Sequence, residues 1–219
     1  MSRPLKRFWS ALELVPDLAG VQCEWRSLLG NDHEHVARFL LPTKRIAGSI
    51  DATVSGRICT HEIRPFKGEY LEVCPNGCKA TTRSRNDVTV HRLDVPALGK
   101  ELAKSLDLDA VPAEAVPHIS SAWKIGELAP SAGYRFSVVL VFTGELDTLR
   151  SVVDGLAARG HPFILIAPTR SAFGQATADL VDRADSIFLT LDELVGDSDG
   201  RLALLDGHTA TSVFAEFCA

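Results

Sequence analysis

Three short and almost uninterrupted apolar runs in the last third of the chain restrict its fold more than any other feature. Arg135–Phe142 (RFSVVLVF), Phe163–Ala167 (FILIA) and Ile187–Leu191 (IFLTL) lack inside-outside alternation, the mark of strands covered on both faces. Between the first two, Leu146, Leu149, Val152, Val153 and Leu156 recur at helical spacing and stop at Arg159-Gly160, where glycine supplies a left-handed cap. Phe173–Val181 predicts a second helix. A β-α-β-α-β order with short loops implies right-handed crossovers and a parallel, doubly wound sheet.

Upstream the texture differs. Leu5, Phe8, Trp9, Leu12, Val15, Leu18 and Val21 fall at spacings of three and four, a helical face that Pro16 kinks or ends. Residues 50–94 instead hold short β-prone runs, Ile58–Ile63, Tyr70–Val73 and Val88–Leu93. Turn signals lie between them at Phe66-Lys67-Gly68-Glu69 and Pro75-Asn76-Gly77. This predicts a small antiparallel module. Leu98, Leu102 and Leu106 then outline a helix, and Pro112 and Pro117 mark a linker over 109–133, within which Ala122–Leu128 has strand character.

With 46% hydrophobic residues in 219, the chain can bury a core. No run of about 18 apolar residues occurs, and Glu13, Pro16 and Asp17 break the N-terminal apolar stretch, so neither a membrane span nor a secretory leader is predicted. The reading is a cytoplasmic protein without a membrane partner. Its five cysteines, Cys23, Cys59, Cys74, Cys78 and Cys218, are odd in number and unevenly spaced, which suits thiols or a metal site better than a disulfide framework. Residues 1–94 carry 14 Lys+Arg against 11 Asp+Glu, a net +3; residues 95–219 carry 9 against 17, a net −8. The first part suits a polyanion better than the second does.

Chemistry concentrates in the β module. Cys59 and His61 are two apart on a predicted strand and therefore share a face. Cys74 and Cys78 flank the Pro-Asn-Gly turn, which can bring both sulfurs to one point. Cys59, Cys74 and Cys78, with His61 or His91 as a fourth ligand, form a candidate tetrahedral zinc site. Over about 40 residues this arrangement resembles the zinc ribbon, with Cys-x-His and Cys-x-x-x-Cys in place of two Cys-x-x-Cys knuckles. The resemblance implies a structural Zn2+ held by Cys59, His61, Cys74 and Cys78. Just beyond, Lys79, Arg83 and Arg85 (CKATTRSR) suit phosphate oxygens and are candidate nucleic-acid contacts.

In the α/β part, ligand-binding candidates sit where strands end: Thr143 and Glu145, then Thr169, Arg170 and Ser171, then Asp192. Neither G-x-G-x-x-G nor G-x-x-x-x-G-K-[ST] follows the first strand, so no nucleotide loop is read there. ILIAPTRSAFGQATADL resembles the strand, Pro-Thr-Arg turn and helix of superfamily 2 helicases over about 17 residues, but the phosphate-binding loop that those enzymes need is absent. No deaminase, zinc-protease or Gly-x-Ser-x-Gly pattern occurs.

The sequence thus predicts an α/β chain (α+β overall) with four parts. These are an N-terminal helical segment at 1–49, a zinc-ribbon-like β module with its following helix at 50–108, a linker at 109–133, and an open, parallel Rossmann-like half sheet at 134–219. The expected function is noncatalytic: a regulatory or interaction protein with a structural zinc site, a protein partner or a second copy of itself, and contact with nucleic acid or another anionic partner. The alternatives are a small enzyme acting on a phosphate-bearing substrate and a structural subunit of a larger assembly.

Overall fold

The computed structural model describes residues 2–54, 57–77, 80–131 and 133–215, with backbone alone at 52–54 and 57. The chain forms two compact units, one from its two ends (Met1–Leu14 with Val95–Ala219) and one from Val15–Asp94. The segment expected at 1–49 is therefore shared between units. Periodicity reveals an apolar helix face but not which core covers it.

The first unit opens with β1 (Arg3–Pro4) and α1 (Lys6–Leu14). Phe8, Trp9, Ala11 and Leu12 are buried on one side of α1. Val15 is already extended (φ −84°, ψ 114°) ahead of Pro16, because a residue before proline is pushed out of the helical region. Trp9 Nε1 donates to the Val195 carbonyl at 2.9 Å, giving a fully buried indole its partner.

The second unit runs β2 (Ala19–Val21), α2 (Gln22–Leu29), α3 (His33–Val36), β3 (Leu40–Ile46), β4 (Ser49–Val54), β5 (Arg57–Phe66), β6 (Glu69–Val73), β7 (Thr81–Arg83), α4 (Arg85–Val88) and β8 (Thr89–Leu93). Two antiparallel sheets result, β2-β8-β3 and β4-β5-β6-β7. The run expected at Val88–Leu93 becomes the middle strand of the first sheet rather than part of the second. In the β5–β6 hairpin, Phe66 faces Glu69 and the two turn residues have positive φ, Lys67 at 48° and Gly68 at 85°. That is the mirror-image turn whose twist suits paired strands, and glycine adopts its half without strain. Val21, Ile50, Ile63 and Val88 form the core beneath.

The first unit resumes with α5 (Val95–Ser105), β9 (Asp109–Ala115), β10 (Ala122–Leu128), β11 (Phe136–Val141), α6 (Leu146–Ala157), β12 (Phe163–Ala167), α7 (Gln175–Arg183), β13 (Ile187–Thr190), α8 (Leu191–Leu194), β14 (Val195–Ser198), β15 (Arg201–Leu204) and α9 (Ala210–Val213). Five strands form one sheet in the order β13-β12-β11-β10-β9. The pairs β11–β12 and β12–β13 are parallel, while β10 is antiparallel to both β11 and β9. The expected half sheet is thus the parallel part of a mixed sheet, and the stretch read as a linker supplies its other two strands.

The expected double winding is also corrected. β11, β12 and β13 lie in sequence order, and both crossover helices cover one face: Leu149, Val152, Val153 and Leu156 of α6 and Val181 of α7 join one cluster with Val139, Val141, Leu165 and Ala167. The alternate residues Val138, Leu140, Ile164 and Ile166 are equally buried, which is why these strands read as unbroken apolar runs. Gly160, with φ 71°, ends the turn after α6 as expected. β1, β14 and β15 make a separate three-stranded sheet. Among the described residues no helix is long and apolar enough to cross a membrane.

Two outcomes follow. A Cβ on Gly196 would lie 2.2 Å from the Arg3 carbonyl oxygen, so Gly196→Ala must push β1 off β14; a loss of about 1–3 kcal/mol is expected from overpacking, read from the denaturant midpoint. Hydrogen bonds from Lys124 (2.5 Å) and Arg135 (3.1 Å) hold the Glu127 carboxyl below the usual carboxylate range. A depressed folded value adds stability above the unfolded pKa of about 4.3 and loses it as pH falls through the folded value. Glu127→Gln should therefore flatten the acid limb of the stability curve, by less than about 1 kcal/mol because the partners are solvated.

Candidate metal centre

The alternation along β5 is plain in its burial. His61 and Ile63 point inward while Thr60, Glu62 and Arg64 are exposed, and Cys59 shares the inward side. In the β5–β6 register, Glu62 opposes Val73 and Ile63 opposes Glu72. Carrying that register one residue further sets Cys74 against His61. Cys59, His61, Glu72 and Cys74 consequently share one face of the hairpin, as strand geometry requires. Cys74 then leads into the turn, where Gly77 N–H donates to its carbonyl at 3.2 Å and Gly77 has φ 81°.

Cys59, His61 and Cys74 each present a ligand atom, and these atoms all lie within 4.8 Å of one another. The two sulfurs are 3.1 Å apart, and Cys23, Cys59 and Cys74 carry thiols rather than disulfides. Asn76 Nδ2 points to Cys59 Sγ at 3.5 Å. His61 is 4% exposed and Glu72 3%. Of the imidazole nitrogens, Nδ1 lies 2.5 Å from Glu72 Oε1, whereas Nε2 is buried with no hydrogen-bond partner among the described residues. A carboxylate only accepts, so Nδ1 carries a proton, and in the neutral imidazole the lone pair is then on Nε2. A histidine fixed through one nitrogen by a carboxylate, with the other left for a metal, is the usual arrangement of a ligating imidazole.

Glu72 is held from its other side as well, since Arg83 Nε donates to Oε2 at 2.6 Å. Burial pushes the Glu72 carboxyl up, but the hydrogen bonds from Arg83 and His61 outweigh it and leave the group below the usual carboxylate range. By contrast, burial raises the Cys23 thiol, which suits its place packed against the Val21–Ile50–Ile63–Val88 core.

The donor set fits a borderline ion. Two sulfurs and one imidazole are zinc ligands, and tetrahedral zinc with bonds of about 2.0–2.3 Å keeps ligand atoms roughly 3.3–3.8 Å apart. Three of the four expected metal ligands are therefore brought together. Cys78, and Lys79 of the basic stretch, lie outside the described residues. His91, the alternative imidazole, is in β8 of the other sheet with Nδ1 3.0 Å from the Thr89 carbonyl, and it does not join the cluster. Of the expected nucleic-acid contacts, Arg85 is exposed at the start of α4 and Arg83 is turned toward Glu72.

Apart from the Asp192 side chain, whose Oδ1 has no hydrogen-bond partner among the described residues, the strand-end candidates of the other unit are engaged with their own chain. The Glu13 carboxylate of α1 accepts from Thr169 N (2.9 Å), Thr169 Oγ1 (2.8 Å) and Ser171 Oγ (2.7 Å). The turn expected to receive an anion thus already holds one. Arg170 lies over the stacked rings of Phe173 and Phe188. Thr143 Oγ1 accepts from Glu145 N, and Glu145 from Thr148. The Asp192 backbone donates to Pro168, while its Oδ1 and the Thr190 hydroxyl are buried without hydrogen-bond partners among the described residues.

No known protein family and no curated protein sequence matches this chain.

Glu72 and Glu13 are the residues that the sequence did not single out. Glu72 carried a signal: it stands two residues before Cys74 on a strand and so shares its face. Glu13 carried none, because its partners are more than 150 residues away. Glu13→Ala should lower the unfolding free energy by about 1.5–3 kcal/mol, the scale of hydrogen bonds to a charged group, measured by chemical denaturation.

Proposed function

We propose that this chain is a noncatalytic regulatory or interaction protein whose Val15–Asp94 unit is locked by a structural zinc ion. Cys59, His61 and Cys74 hold the ion, and the sequence offers Cys78 for the fourth position. The observation that carries the reading is His61 Nε2, buried, without a hydrogen-bond partner among the described residues, and belonging to a ring that Glu72 fixes through Nδ1. Such an atom costs about 1–3 kcal/mol unless something ligates it.

A structural role is favoured over a catalytic one because His61 and Cys74 are almost fully buried. Catalytic zinc keeps a position open to substrate, whereas structural zinc is closed. The interaction role draws on the outward side of β5, where Ile58 is 77% and Phe66 48% exposed, together with exposed Arg85 for an anionic partner. Protein is the partner class this surface suits best, and nucleic acid is tested by salt-dependent binding.

Elemental analysis of the purified chain should give about one zinc per molecule. Cys74→Ser and His61→Ala should each remove most of it, and a strong chelator should lower the unfolding temperature of wild type but not of these variants. A chain that carries no zinc and takes up none on titration would sink the proposal.

A further inference from the structure

We infer that Arg83 is a positioning residue of the metal centre, acting through Glu72 to keep the metal-facing nitrogen of His61 available. The inference rests on the metal reading above and assigns a role to a residue first expected to contact nucleic acid.

The two oxygens of Glu72 are divided between two partners: Oε1 meets His61 Nδ1 at 2.5 Å and Oε2 meets Arg83 Nε at 2.6 Å. A carboxylate 3% exposed must find its partners inside the protein. The strand register explains the choice. Tyr70 opposes Arg83 and Glu72 opposes Thr81, so Arg83 is the diagonal neighbour of Glu72 on the same face, within reach of a long side chain. The Arg83 side chain is one-third exposed, a stem laid along the sheet with its head turned inward.

The consequence lies in which group donates. Arginine has only donors, so with Arg83 on Oε2 the carboxyl must accept there, and it presents Oε1 as an acceptor too. A neutral His61 then has to place its proton on Nδ1, leaving the lone pair on Nε2, the nitrogen without a hydrogen-bond partner among the described residues, in a ring that clusters with Cys59 and Cys74. Without Arg83, Oε2 is a buried acceptor lacking its donor, the carboxyl is free to turn, and the ring loses the contact that selects its tautomer. Outer-shell partners of this kind change metal affinity by about 10–100-fold. Arg85, two residues on and exposed, has no such connection and serves as the internal control.

The test is a cobalt(II) titration with zinc competition on the full chain, as wild type, Arg83→Met, Arg83→Gln and Arg85→Met. It is paired with 15N NMR of the His61 ring in the metal-free protein. Arg83→Met should weaken binding about tenfold or more and shift His61 from a single Nδ1–H form to a tautomer mixture. Arg83→Gln, which keeps an amide donor on a shorter stem, should fall between, and Arg85→Met should match wild type. A folded Arg83→Met chain with wild-type affinity and an unchanged ring spectrum, beside a wild type that binds metal, overturns this inference alone. Wild type that takes up neither cobalt nor zinc overturns the metal reading and this inference with it. Should Arg83→Met fail to fold, Arg83→Gln is read by the same two measurements, and wild-type values for both overturn the inference.

Discussion

The β4-β5-β6-β7 sheet depends on a carboxylate placed where carboxylates are costly. Glu72 is buried in the hairpin beside the apolar side chains that anchor the module, and an ionised group there must be matched by directed donors. His61 from β5 and Arg83 from β7 supply them, so three adjacent strands are fastened at one point by side chains as well as by backbone ladders. The same fastening fixes the ring of His61, which offers a ligand atom within 4.8 Å of the Cys59 and Cys74 sulfurs. The polar network and the Cys59-His61-Cys74 cluster are therefore one construction, because the ring that satisfies Glu72 is the cluster's imidazole.

The other unit shows what happens when a site expected from fold rules meets a different strand order. Ligands collect at the carboxyl ends of open parallel sheets where the order reverses and neighbouring loops part. Here β11, β12 and β13 follow one another without reversal, and their helices cover one face. α1 brings Glu13 to the turn after β12, so its hydroxyls and amide satisfy an internal acceptor. These contacts explain why Pro-Thr-Arg-Ser looks like an anion turn in sequence, since the chemistry is that of an anion turn whose anion belongs to the same chain.

How much was legible follows from how local each signal is. The three parallel strands, the two helices between them and the Lys67-Gly68 turn were readable because each rests on a short apolar period or on the residues that tolerate positive φ, although β13, expected to be covered on both faces, is an edge strand with Ile187, Phe188 and Leu189 only half-buried. The pairing of Cys59 with His61 was readable for the same reason, from the two-residue repeat of a strand. Glu72 was within reach by counting back from the turn, but a glutamate in a β-prone run reads as an outward residue until the register is fixed. The placement of α1, the strands at 109–115 and 122–128 and the contact of Glu13 with Thr169 depend on partners far away in sequence. No local period encodes them. Asp109–Ala115 (DAVPAEA), with one valine, three alanines and Pro112 at its centre, reads as a connector as much as an edge strand, and that strand is indeed the last of its sheet.

Charge balance argues further for treating the centre and its support as a unit. The Glu72 carboxylate is paired inside the sheet, with Arg83 donating to Oε2 at 2.6 Å while His61 meets Oε1. Burial of a neutral, internally bonded group is far cheaper than burial of its charged parts. A paired network of this kind ties together a small module whose core cluster is only a few side chains, where little apolar burial is available to do so.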